Sequence, residues 1–263
     1  MLLRAKMVAA FAAGVVVSTS AFAGAIVPVV PIVNELPRCH GCHVDQIDIG
    51  FNVEISYRNY SQVYVYSNGY VLFQGLGSLS PLWLAALDTR EGGSTVTYGN
   101  LIYERHTAFA VNWVDVAPYQ NRLNARNSFQ LVLVDRSDTG IGNFDFIFNY
   151  DSIQWLNADA GYGNPSHVSY SVGGTSYGYW TEYGIYGSEY EGIVMQPLLD
   201  AYQLPYMSWN SDVAGRWIFE VRNGVVTNPL PPLVIPEPET WAMLLAGLGV
   251  VTGVARRRAK TTG

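Results

Sequence analysis

Residues 127–155 read NSFQLVLVDRSDTGIGNFDFIFNYDSIQW. Two apolar runs flank a polar loop that carries Asp138, Gly140, Gly142 and Asn143, which is the signature of a β-hairpin. In the second run Phe144, Phe146, Phe148 and Tyr150 recur at period two, so a strand places all four on one face. Asp145, Asn149 and Asp151 then point the other way with Ile147 among them, which predicts one core face and one at least partly wet. In the first run Phe129, Leu131 and Leu133 alternate with Gln130, Val132 and Val134, a pattern that suits a strand covered on both sides. The hairpin is therefore expected in the middle of the main sheet.

Outward from it, the same logic marks further strands. Residues 50–57, 62–66, 95–98, 109–116 and 216–221 are strand-like, and Asn68-Gly69 between VYVY and YVLF predicts a type I′ turn, which needs positive φ at both central residues. Residues 81–90 read as a buried strand ending in a turn at Glu91-Gly92-Gly93. From 160 to 192 the chain is rich in Gly and Tyr and poor in aliphatic residues, so long surface loops with short strands are expected. The rings between Tyr177 and Tyr190 would either form an exposed surface for glycan or protein contact or cover a sheet edge.

These pieces together resemble the nidogen-like (NIDO) extracellular module, closest to its bacterial versions. FQLVL, an aspartate-containing loop and FDFIFNYDSIQW carry the resemblance, with YVYSNGYVLF, PLWLAALDTR, AFAVNWVDV and NSDVAGRWIFEVRNG in order around them, so it spans residues 48–224. It implies a mainly β, sandwich-like domain with a non-enzymatic binding, adhesive or structural role outside the cell. The chain departs from the module at Ala86, where the resemblance implies a second acid two residues before Asp88, and so a paired-acid site is not expected there.

Composition agrees with an exported β protein. Of 263 residues 14% are charged, and two are cysteine. The only lysines are Lys6 and Lys260, and residues 24–235 hold nine arginines against nineteen acids, a charge near −10. A nucleic-acid partner, which needs a basic face, is excluded on this ground. Residues 1–23 read as a secretory signal peptide, with Arg4 and Lys6 first, an apolar stretch next and Ala21-Phe22-Ala23 before the cut by signal peptidase. Residues 24–47 are expected as an extended segment holding Cys39-His40-Gly41-Cys42-His43, and residues 225–235 as a proline-rich linker.

Residues 236–263 resemble the PEP-CTERM sorting signal: Pro236-Glu237-Pro238, then Trp241 opening an uncharged stretch to Ala255, then Arg256-Arg257-Arg258. The resemblance implies processing by an exosortase in a polysaccharide-producing Gram-negative bacterium. Roughly fifteen residues fall short of the about twenty of a full span, and an interfacial Trp and snorkelling arginines extend them. The basic end stays in the cytoplasm, so both termini predict one route: transient anchoring in the inner membrane by a single helix, then release to the cell surface or extracellular matrix.

Several residue sets invite chemistry. Cys39, Cys42 and His43 fit the C-x-x-C-H attachment pattern of c-type haem, but a Cys39–Cys42 disulfide is the plainer reading outside the cytoplasm, and zinc would need ligands from elsewhere. Asp135, Asp138, Asn143 and Asp145 crowd the hairpin tip and offer oxygen ligands for calcium, without EF-hand spacing. Gly174-Thr175-Ser176-Tyr177-Gly178 fits G-x-S-x-G, yet no helix pattern follows and no histidine comes later in the chain. His106 and His167 lie in no motif. The expectation is a non-enzymatic protein with no cofactor, binding an extracellular polysaccharide or a surface protein. The alternative is an exported redox protein with haem at Cys39–His43.

Overall fold

The computed structural model describes residues 24–28, 34–74, 77–121, 123–163, 166–172, 201–229 and the backbone of 175–180 and 193–196. The expected signal peptide, the proline-rich linker beyond residue 229 and the whole sorting signal lie outside the described residues.

The 127–155 stretch forms two nine-residue strands, β9 (Asn127–Asp135) and β10 (Phe144–Ser152), at the centre of an eight-stranded sheet. That sheet runs β1 (Asn34–Glu35), β7 (Thr95–Tyr103), β8 (His106–Pro118), β9, β10, β14 (Arg216–Arg222), β15 (Val225–Val226), with β6 (Leu87–Asp88) on the far end of β8. A seven-stranded sheet runs β13 (Ile193–Gln196), β12 (Thr175–Trp180), β11 (His167–Val172), β5 (Ser78–Trp83), β4 (Tyr70–Phe73), β3 (Arg58–Tyr66), β2 (His43–Ile55). Pairing is antiparallel throughout except between β12 and β13. Among the described residues no helix is long and apolar enough to cross a membrane.

The two sheets form a sandwich because each has one apolar face to bury. Phe144, Phe146, Phe148 and Tyr150 all lie in the core, as their period-two spacing requires. Across the gap Phe146 meets Tyr170 of β11 with ring centroids 5.3 Å apart, and it stacks on Phe219 of β14 at 4.8 Å. Two hydrogen bonds bridge the sheets at buried polar tips: Trp113 Nε1 donates to the Tyr66 carbonyl (3.1 Å) and Tyr150 Oη to the Pro81 carbonyl (2.6 Å). Each lets a large ring be buried without stranding its donor.

Three expectations about the strands and turns need correction. The outer face of β10 is wet only at its end: Asp151 is exposed, but Asn149 is fully buried and Asp145 is 7% exposed, because other chain segments and arginines cover them. The Asn68-Gly69 turn is not type I′. Tyr66 pairs with Tyr70, so Ser67, Asn68 and Gly69 make a three-residue loop in which Gly69 alone takes positive φ (94°). The primed two-residue turns fall elsewhere, at Ser56-Tyr57 (52°, 64°), Glu104-Arg105 (49°, 74°) and Asn223-Gly224 (51°, 73°). Within the Gly- and Tyr-rich stretch β11 is no surface element, since Val168, Tyr170 and Val172 are buried against the first sheet.

The segments expected to flank the domain join it. Asn34 and Glu35 pair with Tyr98 and Thr97, β2 starts at His43, and residues 24–28 bond to the outer face of the first sheet. At the other end Asn228, inside the expected linker, bonds to the domain: its Oδ1 accepts from the Glu220 N–H (2.6 Å) and its carbonyl accepts from Trp209 Nε1 (3.1 Å).

Candidate functional site

Cys39-His40-Gly41-Cys42-His43 makes a tight turn, with Gly41 at φ 69°, and a disulfide joins Cys39 to Cys42. The turn is clamped from both sides. Thr89 Oγ1 accepts from the Cys39 N–H (2.7 Å) and donates to the Cys39 carbonyl (3.0 Å), while Ser67 Oγ accepts from the Cys42 N–H (3.1 Å). With the two sulfurs bonded to each other neither is free for a haem vinyl group, and the turn is exposed where haem needs an apolar pocket. The residues present do not fit haem.

The clamped turn delivers His43 to the start of β2, and there the sequence reading missed a feature. His43 pairs in register with Tyr66, and Tyr66 with Tyr70, so three rings from three adjacent strands line up on the outer face of the second sheet. His43 stacks on Tyr66 at 4.6 Å and Tyr66 on Tyr70 at 4.1 Å, with Tyr64 beside His43 at 6.5 Å. Asp45 Oδ1 lies 2.9 Å from His43 Nε2 and orients the imidazole. Burial and then the neighbouring Tyr66 push the Tyr70 hydroxyl well above its ordinary pKa, so it stays a neutral donor. Further along this face Trp83 of β5 pairs with His167 of β11, their rings stacked at 4.9 Å. The signal was present in VYVYSNGY: Tyr64 and Tyr66 alternate with the core residues Val63 and Val65.

His40, on the same turn, faces a different neighbourhood. Its ring lies 5.2 Å from Tyr119 and its Nε2 is 3.1 Å from the Ala85 carbonyl. Its backbone bridges to Asp88, whose side chain is fully buried. Asp88 Oδ1 accepts from Arg90 Nε (2.9 Å) and from the Arg90 N–H (3.0 Å), and Oδ2 from Arg90 Nη2 (2.7 Å). Burial pushes this carboxyl up, but the Arg90 bonds outweigh it and hold the pKa below the ordinary value. Ala86 is buried, its N–H donating to Asn157 Oδ1 (3.0 Å).

The calcium candidates do not converge. Asp145 is held between Arg136 Nη1 (2.6 Å) and Arg222 Nη1 (2.7 Å), and Arg136 Nε also reaches Asp138 (3.2 Å). Asp135 accepts from the N–H and hydroxyl of Ser137, and Asn143 Oδ1 accepts from the Asn223 N–H. Arginines and turn donors thus take the oxygens that a cation would need, and among the described residues no group of three or more His, Cys, Asp or Glu is placed to hold a metal. Ser176 lies inside strand β12, opposite Ser171, and not at a strand-to-helix turn. His106 Nδ1 is 3.9 Å from Asp138. Trp241, Pro236, Glu237, Pro238 and Arg256–Arg258 lie outside the described residues, as do residues 181–190 and the side chains of Tyr177, Tyr179 and Trp180.

Comparison with known families matches residues 96–223 to the nidogen-like domain and residues 234–259 to the PEP-CTERM protein-sorting motif. No curated protein and no solved structure matches the chain.

Proposed function

We propose that this chain, which carries a nidogen-like domain and a C-terminal PEP-CTERM sorting motif, is a non-enzymatic binding protein that holds an extracellular polysaccharide on its outer aromatic face. The sorting motif marks the protein for export and for processing by an exosortase on the way to the cell surface. In this reading signal peptidase removes residues 1–23, the C-terminal segment anchors the chain briefly in the inner membrane, and the body ends at the cell surface or in the matrix of a Gram-negative bacterium.

The observation that carries the ligand class is the His43–Tyr66–Tyr70 row. The row offers hydroxyls and a partly exposed apolar flank at sheet spacing to a sugar's own hydroxyls and C–H groups, and its rings lose little entropy on binding because packing already fixes them. A body charge near −10 without lysine favours a neutral polysaccharide over an acidic one. The disulfide, which occupies both cysteines, speaks against the haem-based alternative.

The test is titration of the purified protein against neutral and acidic extracellular polysaccharides. Tyr66→Ala with Tyr70→Ala should weaken binding to a neutral chain at least about tenfold, as expected for losing one or two aromatic contacts. Binding that survives this double substitution would remove the row from the function, and capture of surface proteins alone would replace the polysaccharide as ligand.

A further inference from the structure

The outer face of the first sheet carries a row of polar side chains that runs straight across five strands: Thr97, Asn112, Gln130, Asn149 and Arg216, each the register partner of the next. Asn112, Gln130 and Asn149 are buried although they point away from the core. Gln130 uses its whole amide. Nε2 donates to Asn112 Oδ1 (2.6 Å) and to the Val27 carbonyl (2.7 Å), while Oε1 accepts from Asn149 Nδ2 (2.7 Å) and from the Val27 N–H (3.0 Å). One side-chain amide thus pairs both backbone groups of Val27, as a neighbouring strand would. Arg216 closes the row, donating through Nε to Asn149 Oδ1 (3.1 Å) and through Nη2 to the Ala25 carbonyl (2.9 Å). Ala25 is 2% exposed. Buried amides are tolerated only when every donor and acceptor is met, and residues 25–27 supply the missing partners.

We propose that signal peptidase cuts after Ala23 before this strap docks, and that the new amino terminus at Gly24 is then fixed on the sheet with its ammonium beside Asp151. The inference rests on the export reading above and adds an order of events to it. A protease needs extended, accessible backbone on both sides of the bond it cuts. Two residues past that bond Ala25 is buried and its carbonyl is held by Arg216, so the docked strap is no substrate. Hydrolysis adds water across the Ala23–Gly24 bond, leaving a carboxylate on Ala23 and, once protonated, an ammonium on Gly24. A Cβ built on Gly24 stands 3.2 Å from Asp151 Oδ1, which by standard bond lengths places the amine within about 6 Å of the carboxylate. A neutral amide becomes a cation at the point where an acid already sits.

Two measurements test this on the whole chain in detergent. Full-length precursor, unfolded or folded, is given signal peptidase and the products are read by intact mass. The unfolded chain should be cut after Ala23, the folded chain at least about tenfold more slowly, and Val27→Pro, which removes the donor to Gln130, should restore cutting of the folded chain; Gln130→Leu serves as the second variant. Equal rates for folded wild type and Val27→Pro would overturn the inference while leaving export intact. No cut after Ala23 even in the unfolded chain would overturn both. For the ammonium, the chain cut by signal peptidase alone contains one other amine, Lys260, which serves as an internal control for amine acylation. Asp151→Asn should raise labelling of Gly24 relative to Lys260 by about threefold, a modest change suited to an exposed pair; an unchanged ratio would remove Asp151 from the site.

Discussion

At the scale of single residues, Asp88 shows how a buried charge is kept. Its carboxylate accepts from three donor groups of Arg90 alone, so Asp88→Ala should cost about 1–3 kcal/mol at neutral pH, measured by denaturant unfolding. Because its folded pKa is depressed, this contribution is complete above the unfolded carboxyl value of about 4 and is lost as pH falls through the folded value. The gap in melting temperature between wild type and Asp88→Asn should therefore narrow on acidification below about pH 4; a gap that widens would contradict the assignment. The Cys39–Cys42 bond closes a small loop, for which chain entropy predicts about 2 kcal/mol, so Cys39→Ser with Cys42→Ser should lose that much stability and the wild type should show no free thiol by thiol titration. Residue types make this disulfide the plainer reading but say nothing of what surrounds it. The Asp135–Asp145 cluster looked like a ligand set because sequence shows acids and hides where Arg136 and Arg222 reach; Arg222 comes from a strand 77 residues beyond Asp145.

At the scale of elements, the alternation in residues 144–150 was legible because one phase of a period-two pattern is wholly aromatic, and the strand it forms lies mid-sheet. The turns were less legible. Ser56-Tyr57 and Glu104-Arg105 adopt left-handed backbone without Asn-Gly, since the strands on either side, fixed by their buried faces, impose a two-residue closure. Gly69 has the opposite history: its sequence signal was real but its geometry belongs to a longer loop, in which a Cβ would stand 1.9 Å from the Leu82 carbonyl oxygen. Gly69→Ala should therefore cost at least about 2 kcal/mol, from left-handed strain plus a clash with backbone that cannot yield. Thermal unfolding of that variant measures it, and a neutral result would mean that the β3–β4 loop is free to move. β11 escaped the reading because three core residues among serines are too few to stand out from a Gly- and Tyr-rich background.

At the scale of the whole molecule, the division into body and tails was drawn too tightly around the repeating strand pattern. Residues 24–28 and 225–228 carry no period of their own, yet both bond to the first sheet, which only the assembled fold can show. In the proposed route the sorting motif acts on a membrane-held chain, so deleting Pro236, Glu237 and Pro238 should leave a full-length form in the membrane fraction; normal release of a shortened protein from that variant, seen by fractionation and mass, would separate the motif from processing. The two outer faces of the sandwich are unlike each other. One is crossed by the chain's own strap, and the other presents the stacked rings. On the proposed reading a single body of this kind would have a valency of one: it would dress a polymer without tying two strands of it together, so a layer made with it would stay fluid where a two-faced binder would set it to a gel.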